Sequence, residues 1–306
     1  MLAFITVTQR GAVMRSWDEV VVFPKEKVGL MREIIREKRE FLKEKGLFFN
    51  TVLREDIFDL LNACCTVVFY PFPQDENDGF QVARPVNYGG EPHTEQFVYL
   101  NTAKCLEKQV FAVGHELGHI WAVAERIWDE NLERTLPRAK NEEAAMNRFA
   151  AELLMPEEEF RTLASKQITL CRKKGKLTYL DCFRITANLM NEFCVPAAAV
   201  VLRLYETGCL SEGTCQRLLF NGPGTVSKEK YQEIFQSMLS SYIQESGYTK
   251  LQKPTNKKGI RDFPQILREA ENRGIFSSEK AAKLRDELEI PKINPEEIRL
   301  DGEGLE

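Results

Sequence analysis

His115, Glu116 and His119 stand in the stretch FAVGHELGHIWAV, residues 111–123, where every other residue is apolar or glycine. Two histidines four apart lie on one face of a helix and can ligate one metal ion. The glutamate between them projects from a neighbouring position, where it can work on a metal-held water without being a ligand itself. With only three histidines in 306 residues, a chance HExxH is expected on the order of 3 times in 1,000. The competing reading is a buried helix whose histidines make ordinary core hydrogen bonds. Burying two imidazoles and a carboxylate without strong partners costs a few kcal/mol each, which a divalent cation relieves directly.

A catalytic zinc takes three protein ligands and leaves one position open. The remaining histidine, His93, falls in a polar stretch read as a loop, and residues 120–126 contain no histidine, so a downstream HExxHxxGxxH site with a third histidine is excluded. Glu142, Glu143 and Glu152 in NEEAAMNRFAAELLMP are the natural carboxylates. A helix turning back antiparallel would bring its opening turn near His119, which favours Glu142 or Glu143 without choosing between them. Two imidazoles and a carboxylate suit zinc, and also iron or manganese. Tyr88, Tyr99 and several arginines all remain open as the group that would stabilise an oxyanion.

These residues need a scaffold. Apolar positions from Val110 to Ile127 predict one long interior helix over about 106–128, and a further helix is expected over 142–154, stopped at Pro156. Strands are expected at 66–70, 80–86 and 96–101, with loops between them, and weakly within LAFITV and EVVVF in the first 24 residues. Helices are also expected over 25–45, 53–62, 179–193 and 196–207, the last two close enough to form a helix-turn-helix-like pair. NGPGTVS at 221–227 marks a boundary, beyond which short helices follow. Gly118 inside a helix suggests close approach by another element.

Hydrophobic residues make up 43% and charged residues 29%, with a net charge of -4. That balance fits a globular protein and offers no general attraction to nucleic acid or an anionic membrane. The first residues lack the features of a secretory signal, and no window approaches a membrane span, so the expected location is cytoplasmic. Eight cysteines without a CxxC pair read as free thiols.

The strand ending FVYLN, then KQVFAVGHELGHI, then EEAAMNRFAAELLMP together resemble the ImmA/IrrE family of bacterial metallo-endopeptidases. That family's second motif reads E-x-x-A-N-x-F-A-x-x-L-L-M-P. Aligning NRFAAELLMP places its glutamate ligand on Glu143, with Met146 where alanine is usual and Asn147 retained as a group that could orient Glu143. CVPAAAVVLRLYETGCL is similar to the family's later helix, so the resemblance spans roughly 50–212. It implies an α+β, mainly helical, zincin-like fold with a small, about three-stranded sheet against the active-site helix and a helical C-terminal region. The expected organisation is an N-terminal extension over 1–49, a metallopeptidase domain over 50–212 including the pair at 179–207, and an extension over 222–306. The resemblance further implies one zinc ion and a protein substrate, a helix-turn-helix transcriptional repressor cleaved to induce a mobile element or stress response. The alternatives are a non-catalytic, antitoxin-like regulatory protein that keeps the fold, and a broad metallopeptidase.

Overall fold

Val67 and Phe69 alternate with more exposed neighbours in β1 (Thr66–Tyr70), and Val98 and Leu100 do the same in β3 (Glu91–Asn101). This two-residue period gives the sheet one buried face. The computed structural model describes residues 20–74, 77–88, 91–128, 138–172, 177–221, 227–260 and 263–287. Within them the sheet has four strands in the order β2-β3-β1-β4, with β2 at Gly79–Tyr88 and β4 at Gly259–Ile260. β1 runs parallel to β3, pairing Val68 with Tyr99, while β2 with β3 and β1 with β4 are antiparallel.

Twelve α-helices complete the fold among the described residues: α1 (Lys25–Glu44), α2 (Ile57–Cys64), α3 (Leu106–Ile120), α4 (Val123–Ile127), α5 (Arg138–Leu154), α6 (Glu157–Cys171), α7 (Tyr179–Phe193), α8 (Ala197–Glu206), α9 (Glu212–Gln216), α10 (Lys228–Glu245), α11 (Phe263–Asn272) and α12 (Ser278–Glu287). The expected α+β, mainly helical architecture is present. The buried residues Val110, Val113 and Leu117 of α3 join Val98 and Leu100 of the sheet and Phe149 and Leu153 of α5 in one core.

Five expectations change. The helix expected over 106–128 stops at Ile120, because Ala122 adopts left-handed φ 52°, ψ 44° and turns the chain into α4. Both pieces bury apolar residues, so the sequence period runs on through the break. The residues read as a loop at 87–95 instead extend β2 and β3 as a hairpin in which Val86 pairs with His93 and Tyr88 with Glu91. Gly89–Gly90, a two-residue hairpin signal, lies between them in sequence. The sheet gains its fourth strand from residues 259–260, too short for any sequence period to announce. Pro156 does stop α5, but it also begins α6, whose first turn carries Glu157, Glu158 and Glu159 where the helix dipole favours acids. The strand expected in LAFITV lies outside the described residues, and residues 20–23 of EVVVF form no strand.

α7 and α8 meet at 103° across Cys194, itself left-handed at φ 54°. α8 buries Ala197, Val200, Val201, Arg203 and Leu204, so this pair packs as core. No single described helix is long and apolar enough to cross a membrane. All eight cysteines are free thiols.

Candidate metal centre

The site is built where α3 crosses α5 at close range. A Cβ on Gly114 would lie 3.1 Å from both Ala150 Cβ and Leu154 Cδ1, and one on Gly118 would lie 2.6 Å from Met146 Sδ and 3.1 Å from Phe149 Cδ1. Two glycines four apart thus form a groove on α3 that receives the Met146, Ala150 and Leu154 row of α5. The next row of α3 carries His115 and His119, and the next row of α5 carries Glu143 and Asn147. Close packing of the first pair of rows brings the second pair face to face. The approach suggested by Gly118 is present; Gly114 was missed, although its spacing from Gly118 was the signal.

His115 Nε2 and His119 Nε2 lie 3.2 Å apart. Glu143 presents Oε2 at 3.2 Å from His115 Nε2 and Oε1 at 3.8 Å from His119 Nε2. One ligand atom from each of the three residues falls within 4.8 Å of the others. Neighbouring ligands on a tetrahedral ion with bonds of about 2.0–2.1 Å are separated by about 3.3 Å. The donor set therefore fits a divalent cation in both spacing and chemistry.

Charge leads to the same conclusion. Burial pulls the His115 imidazole down, but Glu143, Glu116 and Asn147 outweigh it and leave its pKa above the ordinary value. His119 is pushed down to about 4 by burial and by the positive charge on His115. Burial raises the Glu143 carboxyl, yet the two histidines outweigh it and hold it below the usual range. The ionised Glu143 thus favours a positive charge on the adjacent imidazole of His115, the place a cation would take.

Asn147 Oδ1 lies 2.9 Å from His115 Nδ1. A proton on Nδ1 donates to Asn147, which leaves the Nε2 lone pair free to face the ligand cluster. Asn147 therefore touches His115 and not, as expected, Glu143. The register explains the change: one turn along α5 from Glu143, Asn147 reaches past the cluster to the far nitrogen of the ring. Glu116 is 1% exposed, and its charge adds to burial in pushing the Cys65 thiol up to about 12.

The other candidates stand apart. Glu152 is buried two turns beyond Glu143, where Arg203 Nη1 and Nη2 donate to it at 2.6 and 2.9 Å and Arg32 Nε at 2.9 Å. Arg148 also donates to it, so it is an ion-pair centre and not a ligand, since three guanidiniums saturate its oxygens. Arg203 Nε also donates to Met155 O at 3.0 Å, holding the end of α5. Glu142 lies outside the three-residue cluster. His93 sits in β3, and the Tyr99 hydroxyl donates to Tyr70 O at 2.9 Å.

Residues 63–205 match the family profile Peptidase_M78, the IrrE N-terminal-like domain. The match supports a metallopeptidase-type function and a protein substrate. A search of curated proteins finds no match. The matched segment contains both helices of the His115, His119 and Glu143 cluster, so the part of the chain that carries the cluster is similar to the IrrE N-terminal-like peptidase domain.

Proposed function

We propose that the protein is a zinc-dependent, site-specific endopeptidase that cleaves a helix-turn-helix transcriptional repressor and so induces a mobile element or stress response. The observation that carries the peptidase reading is the convergence of His115, His119 and Glu143 within 4.8 Å, with the buried Glu116 next to His115 on the same helix. The family match supports peptide hydrolysis, and the choice of a repressor as substrate rests on the resemblance of the sequence motifs.

Zinc at this site would polarise a scissile carbonyl and make an attacking water acidic enough to lose a proton near neutrality. The residues of the chain do the rest. His115, His119 and Glu143 bind the ion, and Asn147 fixes the His115 tautomer that makes binding possible. Glu116 takes the proton as the water's oxygen bonds to the carbonyl carbon, then delivers it to the departing amine nitrogen as the C–N bond breaks. A carboxylate is needed at that position because the proton must be both accepted and returned.

The test pairs wild type and Glu116→Gln with a helix-turn-helix repressor encoded beside the protein's own gene, and follows fragments by mass spectrometry at saturating zinc. Cleavage at a single bond by wild type, lost in the variant, supports the proposal. Intact repressor with both proteins, despite binding, overturns it in favour of a regulatory protein that keeps the fold without turnover. Comparable cleavage of unrelated unfolded peptides would indicate a broad metallopeptidase.

A further inference from the structure

The first amides of a helix need partners from outside it, and α3 receives none from its N-cap residue Cys105, which makes no side-chain cap. They are met by a segment about 145 residues away in sequence. Leu106 N donates to Lys253 O at 3.1 Å and Glu107 N to Leu251 O at 3.4 Å. Four residues further along that segment, Thr255 Oγ1 donates to Gln109 Oε1 at 2.9 Å. Gln109, 1% exposed, turns its Nε2 to the carbonyls of Thr102 (3.3 Å) and Lys104 (2.6 Å). Asn256 N then donates to Thr102 O at 2.9 Å, and Thr102 Oγ1 donates to Lys257 O at 2.7 Å. The segment finishes as β4, pairing Ile260 with Val68 of β1.

Residues 249–260 are thus a strap that caps α3 and joins the sheet edge in the same pass. They lie outside the matched 63–205 domain. α3 runs without a break from the strapped turn to His119, so His115 is about 13 Å from Leu106 along one helix. The opposite helix is held in the same manner, at the end remote from its ligand: Glu143 is near the start of α5, while Arg203 holds Met155 and Glu152 at its finish.

Resting on the metal-centre reading above, we infer that the 249–260 strap is a positioning element of the metal site: it fixes the axial placement of α3, and strap closure and metal binding favour each other. A strap that opens frays the capped turn and releases α3 to shift along α5, which separates the imidazoles from Glu143. By reciprocity, an ion that pins α3 against α5 holds the strap closed by the same factor. Thr255 and Gln109 act through the helix and touch no ligand.

Amide hydrogen exchange on the full-length chain tests this, with and without saturating zinc, in wild type, Thr255→Val, Thr255→Ser and Gln109→Leu. Thr255 is exposed, so its replacement leaves the fold available even where Gln109→Leu does not. Zinc is expected to slow exchange at Leu106, Glu107 and Asn256 of wild type about fivefold or more. Thr255→Val is expected to speed exchange at those amides and at Gly114–Gly118 of the zinc-free protein. Its zinc affinity should fall by the factor through which zinc protects the strap, and Thr255→Ser should restore both. Faster strap exchange with unchanged exchange at Gly114–Gly118 and unchanged zinc affinity would overturn the inference, as would strap amides that respond to neither variant. Failure of wild type to bind zinc would instead remove the metal reading, and the zinc-free comparison at Gly114–Gly118 would still decide whether the strap positions α3.

Discussion

His115 and Asn147 are joined by a 2.9 Å contact between Nδ1 and Oδ1, across the crossing of the two helices that carry the His115, His119 and Glu143 cluster. The bond does two things at once. It sets which ring nitrogen bears the proton, and it ties the face of α3 that holds both histidines to the turn of α5 that holds Glu143.

Removing that bond should loosen the ion without unfolding the protein. Asn147→Ala is expected to weaken zinc affinity about 10- to 100-fold, the usual cost of losing a partner behind a histidine ligand. Asn147→Asp, which keeps an acceptor, should recover most of it. Competition against a chromophoric chelator measures both. An unchanged affinity in Asn147→Ala would mean that the bond does not orient His115.

The two glycines of α3 should respond differently to the same added methyl. At Gly118 the closest atom is Met146 Sδ, the far part of a flexible side chain, whereas at Gly114 the neighbours are Ala150 Cβ and Cα and Leu154 Cδ1. Met146 can swing aside; Ala150 can move only with its backbone. Gly114→Ala is therefore expected to cost about 1–3 kcal/mol of stability and to lower zinc affinity by spreading the helices. Gly118→Ala should cost less, and urea unfolding with a zinc titration ranks the two. A Gly118→Ala variant less stable than Gly114→Ala would contradict this account of the crossing.

Acid should weaken the fold through Glu152. Burial alone would raise its carboxyl, but Arg203, Arg32 and Arg148 outweigh burial and hold the pKa at about 2, against an ordinary value of 4.5. A carboxyl depressed in the folded state contributes fully above its unfolded pKa, and that contribution is lost as pH falls from about 4.5 through about 2. The loss is on the order of 3 kcal/mol. Glu152→Gln is expected to be less stable than wild type at neutral pH, by roughly 3–5 kcal/mol for a broken buried pair, and to lose less on acidification. Denaturant midpoints at pH 6 and pH 3 give both numbers. Equal acid losses in the two proteins would show that Glu152 is not the responsible group.

Much of the site could be read directly from local residues. His115 and His119 share a helical face by spacing alone, and Glu116 follows from the same five residues. Glu143 needed the motif register, because two adjacent glutamates at a helix start look alike until the helix is placed against its neighbour. Asn147 was found, but its partner was not: whether it reaches Glu143 or His115 depends on the roll of α5, set by Met146, Ala150 and Leu154 seating against two glycines. Glu152 stood among the candidate carboxylates because its three arginines come from α1, α5 and α8, and no local pattern links them. The α3–α4 break escaped notice because Ala122 takes a left-handed conformation without the glycine that would announce it. The strap was invisible for a related reason. Most of its contacts are backbone amides and carbonyls more than a hundred residues apart, which leave no trace in side-chain periodicity, and the bond from Thr255 to Gln109 joins two polar residues that no local pattern links.

His115, His119 and Glu143 are proposed to hold one divalent ion together. The most direct test is metal content after equilibrium dialysis against a zinc buffer, measured by elemental analysis on wild type, His119→Ala and Glu143→Ala, with circular dichroism to show that each is folded. One zinc per wild-type chain is expected, with affinity lower by at least about 100-fold in both variants. Full zinc occupancy in folded Glu143→Ala, at wild-type affinity, would contradict that proposal.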